Sequence, residues 1–452
     1  MDTTDRKNNS FYFGNFMILI PIIFFITSII SFVICKRASL KTFIISGFIS
    51  IFITFIISKD KKHFGKKCVE NMKNEMLLTC ILIFILAGIL SSILKMSGIS
   101  NSLLKFFINI GLSAEFLPAI IFVICCLIST LIGTSTGTIS IAVPIFLPLT
   151  VTLNCNPALI LGAIVCGSFF GDNLSPISDT TIISTNTMKV NIYETLKQRL
   201  KVSLVCAFIS TIIFIILGKA LITNAIITIE NNNVSLLPLV MLLVFVLMII
   251  LLAKKYDLIS VLLICNVVAL FITLIFGLTE FEQIVSQESP IVQGIESVFG
   301  VIVFLIFLSI LTEFISKEML EKYINSKIEK CNSSFKINLW SILTIIISIL
   351  TISNNTAAMS LLSKFIDKFF KNKTQIEKAN IFDGLSCAVP SLLPYNTAFM
   401  LMTSLAFETG CLPENFSTLQ IVMFSINGIL LLMVYIFMAL YTPKKRTEVN
   451  KY

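Results

Sequence analysis

Apolar stretches long enough to enter or cross a bilayer recur along the whole chain. They fall at 11–35, 40–58, 76–97, 116–133, 139–153, 157–171, 202–228, 234–253, 258–278, 291–316, 338–353, 356–370, 380–409 and 417–441. A spanning helix needs about 20 apolar residues, and several stretches are shorter than this or interrupted by polar residues. The pattern predicts an all-α polytopic membrane protein with about 10–13 transmembrane helices, including discontinuous or re-entrant segments.

The composition agrees with a membrane location. Hydrophobic residues make up 56% of the chain and charged residues 13%, whereas soluble proteins carry about 45–50% and about 25%. No small-residue cleavage site follows the first long stretch, 16–35, so we expect a spanning helix there rather than a cleaved signal peptide. We expect a multi-pass protein of the cell membrane, with the lipid bilayer as its main partner.

Basic residues, which give the chain a net charge of +9, are concentrated in short loops. The richest loops are 59–74 and 187–201, and the tail 442–452 is also basic. Because lysine and arginine are enriched in cytoplasmic loops, we place these segments and both termini in the cytoplasm. The 36–41 turn then lies outside, although its three basic residues argue against this orientation. The same distribution explains the positive charge without a nucleic-acid partner.

Cysteine and histidine give no sign of a disulfide or of a resident metal. Most of the twelve cysteines lie within apolar stretches and none forms a C-x-x-C pair, so we expect them to pack as small hydrophobic residues. The single histidine, His63, lies in a lysine-rich loop without other ligand types nearby. We therefore expect no cofactor apart from any ion that the protein transports.

Two polar breaks in each half of the chain recur at a constant offset. The first half contains LIGTSTGTIS (131–140) and DNLSPISDTT (172–181), and the second half contains ILTISNNTAA (349–358) and PSLLPYNTAF (390–399). An offset of 218 residues aligns both pairs, since it takes position 135 to 353 and position 176 to 394. Paired interruptions of this kind are typical of secondary transporters, whose repeats often have inverted topology. We predict two repeats in inverted orientation.

The repeats lead to a layout of five parts. We expect an N-terminal transmembrane pair with a cytoplasmic loop (1–75), a first transport repeat (76–228), linking transmembrane helices (229–290), a second transport repeat (291–441) and a cytoplasmic tail (442–452).

The first break, GTSTGT at 133–138, combines flexible backbone with oxygen ligands. Gly133 and Gly137 allow the helix to unwind, and Thr134, Ser135 and Thr138 supply hydroxyl oxygens. Such oxygens, with freed backbone carbonyls, can replace the water shell of a small cation. The alternative is a simple helix bend, in which the hydroxyls bond to their own backbone.

The second break, GDNLSPISDTT, places two carboxylates in apolar surroundings. Asp172 and Asp179 lie on either side of Pro176, which cannot continue a regular helix. A carboxylate in a membrane core is expensive unless it has a function, and it can bind either a proton or sodium. We therefore predict that these two aspartates form a sodium site. The alternative is that the segment ends in a loop, with Asp179 as an ordinary helix N-cap.

Neutral oxygens in both halves complete the predicted site. The remaining ligand or gate candidates are Ser175, Ser178, Thr180, Ser353, Asn354, Asn355, Thr356, Asn396 and Thr397, and further structural breaks are expected at Gly171 and Pro394. No acid lies opposite Asp179 in the second half, so we expect the first half to supply the charge. Glu115, Glu313 and Asp383 are weaker candidates because each lies near the end of a segment, where a carboxylate reaches water.

The breaks resemble the signatures of the NhaC-type Na⁺/H⁺ antiporters, a family within the ion-transporter superfamily. GTSTGT followed by GDNLSPISDTT is similar to the family's G-T-S-x-x-T and G-D-[KN]-x-S-P-[IL]-S-D-T-T elements, and PSLLPYNT is similar to its later S-P-L-I-P-W-N-T element. Two departures are Asn173 in place of a frequent lysine and Tyr395 in place of tryptophan. The second-half break 351–355 also differs from the usual glycine-containing version.

The resemblance implies exchange of sodium for protons by alternating access. It leaves open a sodium- or proton-coupled exchanger of a small carboxylate or amino acid, since some members carry organic acids. The absence of arginine from the breaks favours a bare cation. An intramembrane aspartyl hydrolase would need G-x-G-D, which fails because residue 169 is phenylalanine, so we expect no enzyme. A homodimer is a possible assembly.

Overall fold

The computed structural model describes most of the chain as helices. The described residues are 11–12, 15–34, 40–73, 75–109, 113–153, 155–221, 235–286, 289–314, 331, 333–352, 354–413 and 416–441. The basic tail 442–452, most of the 36–41 turn and the predicted ligand Ser353 therefore lie outside the described residues. Within these ranges the extended pairing is limited to one isolated bridge, between Phe11 and Ser58.

Eleven α-helices are described up to residue 221. They are α1 (Leu19–Ile34), α2 (Leu40–Ile57), α3 (Phe64–Asn71), α4 (Glu75–Met96), α5 (Ile99–Asn109), α6 (Leu117–Ile132), α7 (Ser135–Phe146), α8 (Leu149–Thr152), α9 (Pro157–Leu174), α10 (Asp179–Met188) and α11 (Ile192–Leu221). The remaining described helices are α12 (Leu242–Ala253), α13 (Leu258–Ile275), α14 (Phe281–Val285), α15 (Pro290–Glu313), α16 (Ser334–Ile352), α17 (Asn355–Leu362), α18 (Gln375–Ala388), α19 (Thr397–Glu408), α20 (Thr418–Met423) and α21 (Ile426–Leu440).

Eight helical segments among the described residues are long and apolar enough to cross a membrane. Two of these segments, Pro157–Met188 and Gln375–Glu408, are interrupted helices in which most residues are buried. Shorter apolar helices accompany them at Ile20–Ile29, Lys41–Ile57, Ser135–Phe146, Leu237–Leu252 and Ile426–Leu440. These lengths confirm the predicted all-α polytopic membrane fold with discontinuous segments.

Contacts between helix ends show which ends lie on the same face of the protein. On one face, called here the basic face because it carries loop 59–73, the amide of Asn71 donates to the carbonyl of Ile310 (3.3 Å). At the other end of α4, on the opposite face, Lys95 Nζ donates to the carbonyl of Glu408 (2.6 Å). Helix α15 therefore ends on the basic face, and α19 ends on the opposite face.

The two halves each contain a hairpin that enters and leaves by one face. Helices α6 and α9 run parallel, because Gly167 packs on Cys125 and Gly171 packs on Ser129. The α7–α8 segment must therefore return to the face where α6 began. In the second half, Asn338 at the start of α16 donates to the carbonyl of Lys371, beyond α17 (3.4 Å). That second hairpin returns to the basic face, where the same amide donates to the carbonyl of Ala439 (2.8 Å).

Helix boundaries recur at the offset found in the sequence. The starts of α9 and α18 (157 and 375), of α10 and α19 (179 and 397), and of α2 and α13 (40 and 258) each differ by 218. The two hairpins approach from opposite faces, and α10 and α19 end on opposite faces. These boundaries support an inverted repeat, which stays a prediction together with the layout of five parts.

Local chemistry explains where the helices break. Gly133 ends α6 with a φ of 76°, a left-handed conformation that favours glycine. Asn354 and Asn396 precede α17 and α19 as N-caps, each accepting from a backbone amide two or three residues on (3.0 Å). At Gly171 a Cβ would lie 2.2 Å from the Ser129 carbonyl carbon. Only glycine therefore lets α6 approach α9 so closely at this point. Gly137 and Gly171 themselves lie within α7 and α9, so the predicted breaks at these two glycines are wrong.

Candidate functional site

All four polar breaks line one cavity of about 830 Å³. Its polar and charged lining residues are Glu75, Thr79, Thr134, Ser135, Thr136, Asp172, Asp179, Lys255, Tyr256, Asp257, Asn354, Asn355, Thr356, Asn396 and Thr397. The cavity extends from the basic face, where α4 begins and α12 meets α13, to the ends of the broken helices. The structure thus brings together the two halves of the predicted site.

Asp172 lies at the meeting point of the first two breaks. Its side chain is near the end of α9 and the residue is 6% exposed. Oδ1 accepts a hydrogen bond from Ser178 Oγ (2.6 Å), and Oδ2 accepts one from Ser135 Oγ (3.1 Å). Hydrogen bonds to an ionised carboxylate are stronger than those between neutral groups, so the two serines hold the charged form of Asp172.

Asp179 occupies a different environment from Asp172. It is the first residue of α10 and is exposed in the cavity, where the positive end of the helix dipole favours a negative charge. Ser178 occupies the N-cap position, so the alternative interpretation of Asp179 as an N-cap is wrong. The two aspartates lie on either side of the break at 175–178, with Pro176 between them.

The hydroxyl groups of the first half divide between the cavity and local bonds. Thr134 and Thr136 are hydrogen-bonded to each other (2.9 Å) and line the cavity. Thr138 donates to the carbonyl of Thr134 (3.1 Å), so for this residue the helix-bend interpretation is correct. Ser175 Oγ accepts from the backbone amide of Ile177 (3.4 Å). Thr180 Oγ1 is hydrogen-bonded to Ser178 Oγ (2.9 Å) and is buried.

The second half contributes neutral side chains. Asn355, Thr356 and Thr397 line the cavity beside the two capping asparagines. Their amide and hydroxyl oxygens are suited to a desolvated cation, and none of these groups carries charge. The predicted asymmetry between charged breaks in the first half and neutral breaks in the second half therefore describes the four breaks, whereas Lys255 and Asp257 add charge to the lining elsewhere. The ligand roles of these residues stay predictions.

Acidic side chains outnumber basic ones along the described lining. Four carboxylates, from Glu75, Asp172, Asp179 and Asp257, face one ammonium group, from Lys255. The backbone amide of Ser260 donates to Asp257 Oδ1 (2.9 Å), and this bond lowers the pKa of Asp257. The mouth of the cavity therefore keeps its negative charge at neutral pH. Among the described residues no cluster of three or more histidine, cysteine or acidic side chains could hold a metal.

Two charged residues inside the protein were missed by the sequence analysis. Asp383 was expected near a segment end in reach of water; it lies in the middle of α18 and is fully buried. Arg199 was assigned to a cytoplasmic loop; it lies two turns into α11 and forms a buried ion pair with Asp383. By contrast, Glu115 and Glu313 lie at element ends, as expected.

One sequence signal could have revealed the burial of Arg199. Buried residues on α11 recur as Thr195, Arg199, Ser203, Cys206 and Ser210, a spacing of three or four that marks one helix face. Small side chains on that face indicate close packing against another helix. The neighbouring Lys197 and Lys201 lie off this face and are exposed, so charge counting alone grouped Arg199 with them.

Comparison with known proteins finds a family match in the first half of the chain. Residues 11–219, just under half of the chain, match the model of the Na⁺/H⁺ antiporter family. The matched antiporter segment contains both first-half breaks, with Asp172 and Asp179, and also Arg199. The second-half breaks lie beyond it.

Individual relatives bear the names of antiporters with two kinds of cargo. The chain is 29% identical over 144 residues to the Na⁺/H⁺ antiporter NhaC of Alkalihalophilus pseudofirmus (32% of this chain, 31% of the relative). It is 25% identical over 204 residues to the malate-2H⁺/Na⁺-lactate antiporter of Bacillus subtilis (45% and 43%). A 70-residue segment is 36% identical to an uncharacterized Na⁺/H⁺ antiporter of Haemophilus influenzae (16% and 15%). These matches span less than half the length of each relative.

Proposed function

We propose that the protein is a secondary active transporter that exchanges sodium for protons across the cell membrane. The observation that carries this proposal is the position of Asp172. Its carboxylate lies buried between Ser135 and Ser178, where the first two breaks meet, at a cavity lined by four carboxylates and one lysine. Such a lining attracts a small cation and disfavours an anion.

Competition at Asp172 would couple the two ions. The ionised carboxylate offers lone pairs to sodium, whereas a proton on the same oxygen removes both the charge and one lone pair. Sodium and a proton therefore exclude each other from the site. If the protein can change between its two conformations only when Asp172 holds sodium or a proton, it exchanges the two ions.

Oxygen ligands for sodium would come from both halves. Asp172 and Asp179 would supply the charge, and the neutral oxygens would be drawn from Thr134, Ser135, Asn355, Thr356, Asn396 and Thr397, all of which line the cavity. Carbonyls freed by the breaks add further ligands. Hard oxygen donors of this kind suit alkali cations better than soft metals.

Alternating access would follow from the arrangement of the two faces. The cavity reaches the basic face, whereas the end of α19 lies against α4 on the opposite face, where Lys95 holds the carbonyl of Glu408. Ser404 on α19 also donates to the carbonyl of Ser297 on α15 (2.6 Å). With the basic face in the cytoplasm, this conformation opens inward. Exposure to the outside would require these contacts to separate.

A carboxylate exchanger is the second candidate. The similarity to the malate-2H⁺/Na⁺-lactate antiporter and a cavity of about 830 Å³ favour it. The charge of the lining argues against it, because an organic anion would face four carboxylates. Arg199, the natural partner for a carboxylate, is engaged by Asp383 instead.

The test uses purified protein in liposomes with a pH-sensitive dye inside and an imposed pH gradient. We expect sodium to collapse the pH gradient. Asp172→Asn should reduce the rate of collapse to that of empty liposomes, since the asparagine amide carries no charge and does not take up a proton. Asp60→Asn is the matched control, because Asp60 lies in an exposed loop beside His63. A normal rate for Asp172→Asn contradicts the proposal. Counterflow of labelled malate or lactate without a sodium response favours the second candidate.

A further inference from the structure

Arg199 joins three other helices or their ends behind the cavity. Its side chain and that of Asp383 are both 0% exposed. Arg199 Nε donates to Asn380 Oδ1 (2.9 Å), and Nη1 donates to the carbonyl of Asn173 (2.6 Å) and to Thr181 Oγ1 (3.1 Å). The guanidinium therefore ties α11 to the end of α9, to α10 and to α18. It connects the first half of the chain with the second.

An unbroken series of contacts leads from this ion pair to Asp172. Asp383 Oδ1 accepts from Cys387 Sγ (3.6 Å), and Cys387 contacts Thr180 Oγ1 (3.8 Å). Thr180 is hydrogen-bonded to Ser178, which donates to Asp172. The thiol of Cys387 is a weak hydrogen-bond donor and acceptor. This series is therefore better suited to transmit a displacement or a change in electric field than to transfer protons.

The two charges of the ion pair would act on Asp172 in opposite directions. Neither Arg199 nor Asp383 lines the cavity, so water does not screen them. In a low dielectric, a single unpaired charge at this place would act strongly on a neighbouring carboxylate, whereas the two opposite charges cancel. Breaking a buried pair by removing one partner is much more costly than removing both.

We propose that the Arg199–Asp383 pair is a positioning element of the cation site. It fixes the broken ends of α9 and α10 against α18, and it keeps the field behind Asp172 neutral so that the affinity for sodium is set by the lining alone. This inference rests on the function proposed above. Neither residue touches the cation.

The proposal predicts opposite effects for the two charge-removing variants. At alkaline pH, where both carboxylates are ionised and protons do not compete, Arg199→Gln leaves the negative Asp383 behind Asp172 and raises the affinity for sodium by about tenfold, whereas Asp383→Asn leaves Arg199 unpaired and lowers it by about tenfold. The double variant Arg199→Gln/Asp383→Asn returns the affinity to within about threefold of wild type. Affinity is measured on purified protein at fixed pH, from the rise in melting temperature as sodium is added.

Two controls separate the charge from the packing. Asn380→Ser removes a hydrogen bond of Arg199 without changing any charge, so we expect lower thermal stability with an unchanged sodium affinity. Arg199→Lys keeps the positive charge but not all the hydrogen bonds of the guanidinium, so its sodium affinity should stay closer to that of wild type than the affinity of Arg199→Gln does. Effects of the same sign in Arg199→Gln and Asp383→Asn, or a double variant as altered as the singles, would overturn the proposal.

Failure of the proposed function gives a distinguishable result. If the cargo is an organic anion, titration with malate or lactate yields the same pair of opposite shifts with the signs exchanged. If neither single variant folds, or no solute stabilises the protein, melting temperatures without cargo decide. The double variant must then be more stable than either single variant that folds. Where the single variants do not fold, the double variant must fold. A double variant whose loss of stability is the sum of the two single losses overturns the proposal.

Discussion

At the scale of the residue, the two site aspartates differ in solvation and in hydrogen bonding. Asp172 is buried between two serine hydroxyls, whereas Asp179 faces the cavity at the start of α10. A buried carboxylate with two donors must lose these bonds or reorganise them whenever it takes up a proton. The proposed exchange of sodium for protons would therefore change the hydrogen bonding of Asp172 at the junction of the first two breaks.

Ser178 provides a direct test of this junction. Ser178→Ala removes the 2.6 Å bond to Asp172 Oδ1, and we expect the sodium concentration for half-maximal exchange to rise about tenfold, since a bond to a charged group contributes about 1.5–3 kcal/mol. The measurement is the initial rate of dye response in liposomes at several sodium concentrations. Ser184→Ala is the matched control on α10, because its hydroxyl donates to the backbone carbonyl of Thr181 rather than to a side chain of the site. Equal behaviour of the two variants would rule out the assigned role of Ser178.

At the scale of the element, the helix breaks follow rules that can be applied to sequence. Gly133, Pro176 and the asparagines at 354 and 396 were all expected at interruptions, and the structure has helix ends or caps at these positions. Local residue types determine such ends, because backbone freedom and capping act within a few residues.

The partners of buried charges could not be predicted in the same way. Arg199 and Asp383 come from different halves of the chain, and no local sequence feature of either residue identifies the other as its partner. Counting charges near helix ends placed Arg199 in water, since it lies among exposed lysines. Long-range pairing depends on how α11 packs against α18, which a single sequence does not specify. For the same reason, the sequence predicted the break residues that line the cavity but neither the charged residues Glu75, Lys255 and Asp257 of its lining nor the ion pair behind it.

Asp257 allows a pH test of a single element. It caps α13 through the amide of Ser260, and this bond lowers its pKa from the usual value of 3.8. A lowered pKa in the folded protein means that the stabilisation is present above pH 3.8 and is lost as the pH falls through the folded-state value. We expect Asp257→Ala to lower the melting temperature by about 2 °C at pH 7. This difference from wild type should shrink only when the pH falls below 3.8. Asp257→Asn keeps a capping oxygen and should lower the melting temperature less. A difference in melting temperature between Asp257→Ala and wild type that grows in acid would contradict this account.

At the scale of the whole molecule, the two faces are closed to different extents. α19 reaches α4 and α15 on the opposite face, whereas α10, its counterpart in the predicted repeat, lies at a cavity that extends to the basic face. Inverted repeats that adopt unequal conformations produce a site open to one side only. Exchange of the two conformations would open the other side.

A tether across the closed face tests this movement. In the double variant Lys95→Cys/Thr409→Cys, a short bifunctional maleimide should join α4 to the end of α19, because Lys95 Nζ reaches the carbonyl of Glu408 (2.6 Å). We expect cross-linking to stop exchange while sodium still raises the melting temperature, since the cavity stays accessible from the basic face. The wild-type protein treated with the same reagent controls for its native cysteines. Full exchange after complete cross-linking would show that this face does not open.

The Arg199–Asp383 pair also has a consequence for how the protein is made. The two positions are 184 residues apart, and ribosomes add about 5–20 residues per second. Arg199 must therefore wait roughly 10–40 s before Asp383 is synthesised. During that interval the guanidinium lacks the Asp383 carboxylate that pairs with it in the folded protein, and insertion of α11 into lipid with this charge unpaired is costly. We expect the first half to remain beside the insertion machinery until the second half arrives, so that the ion pair serves as a checkpoint for completion of the chain.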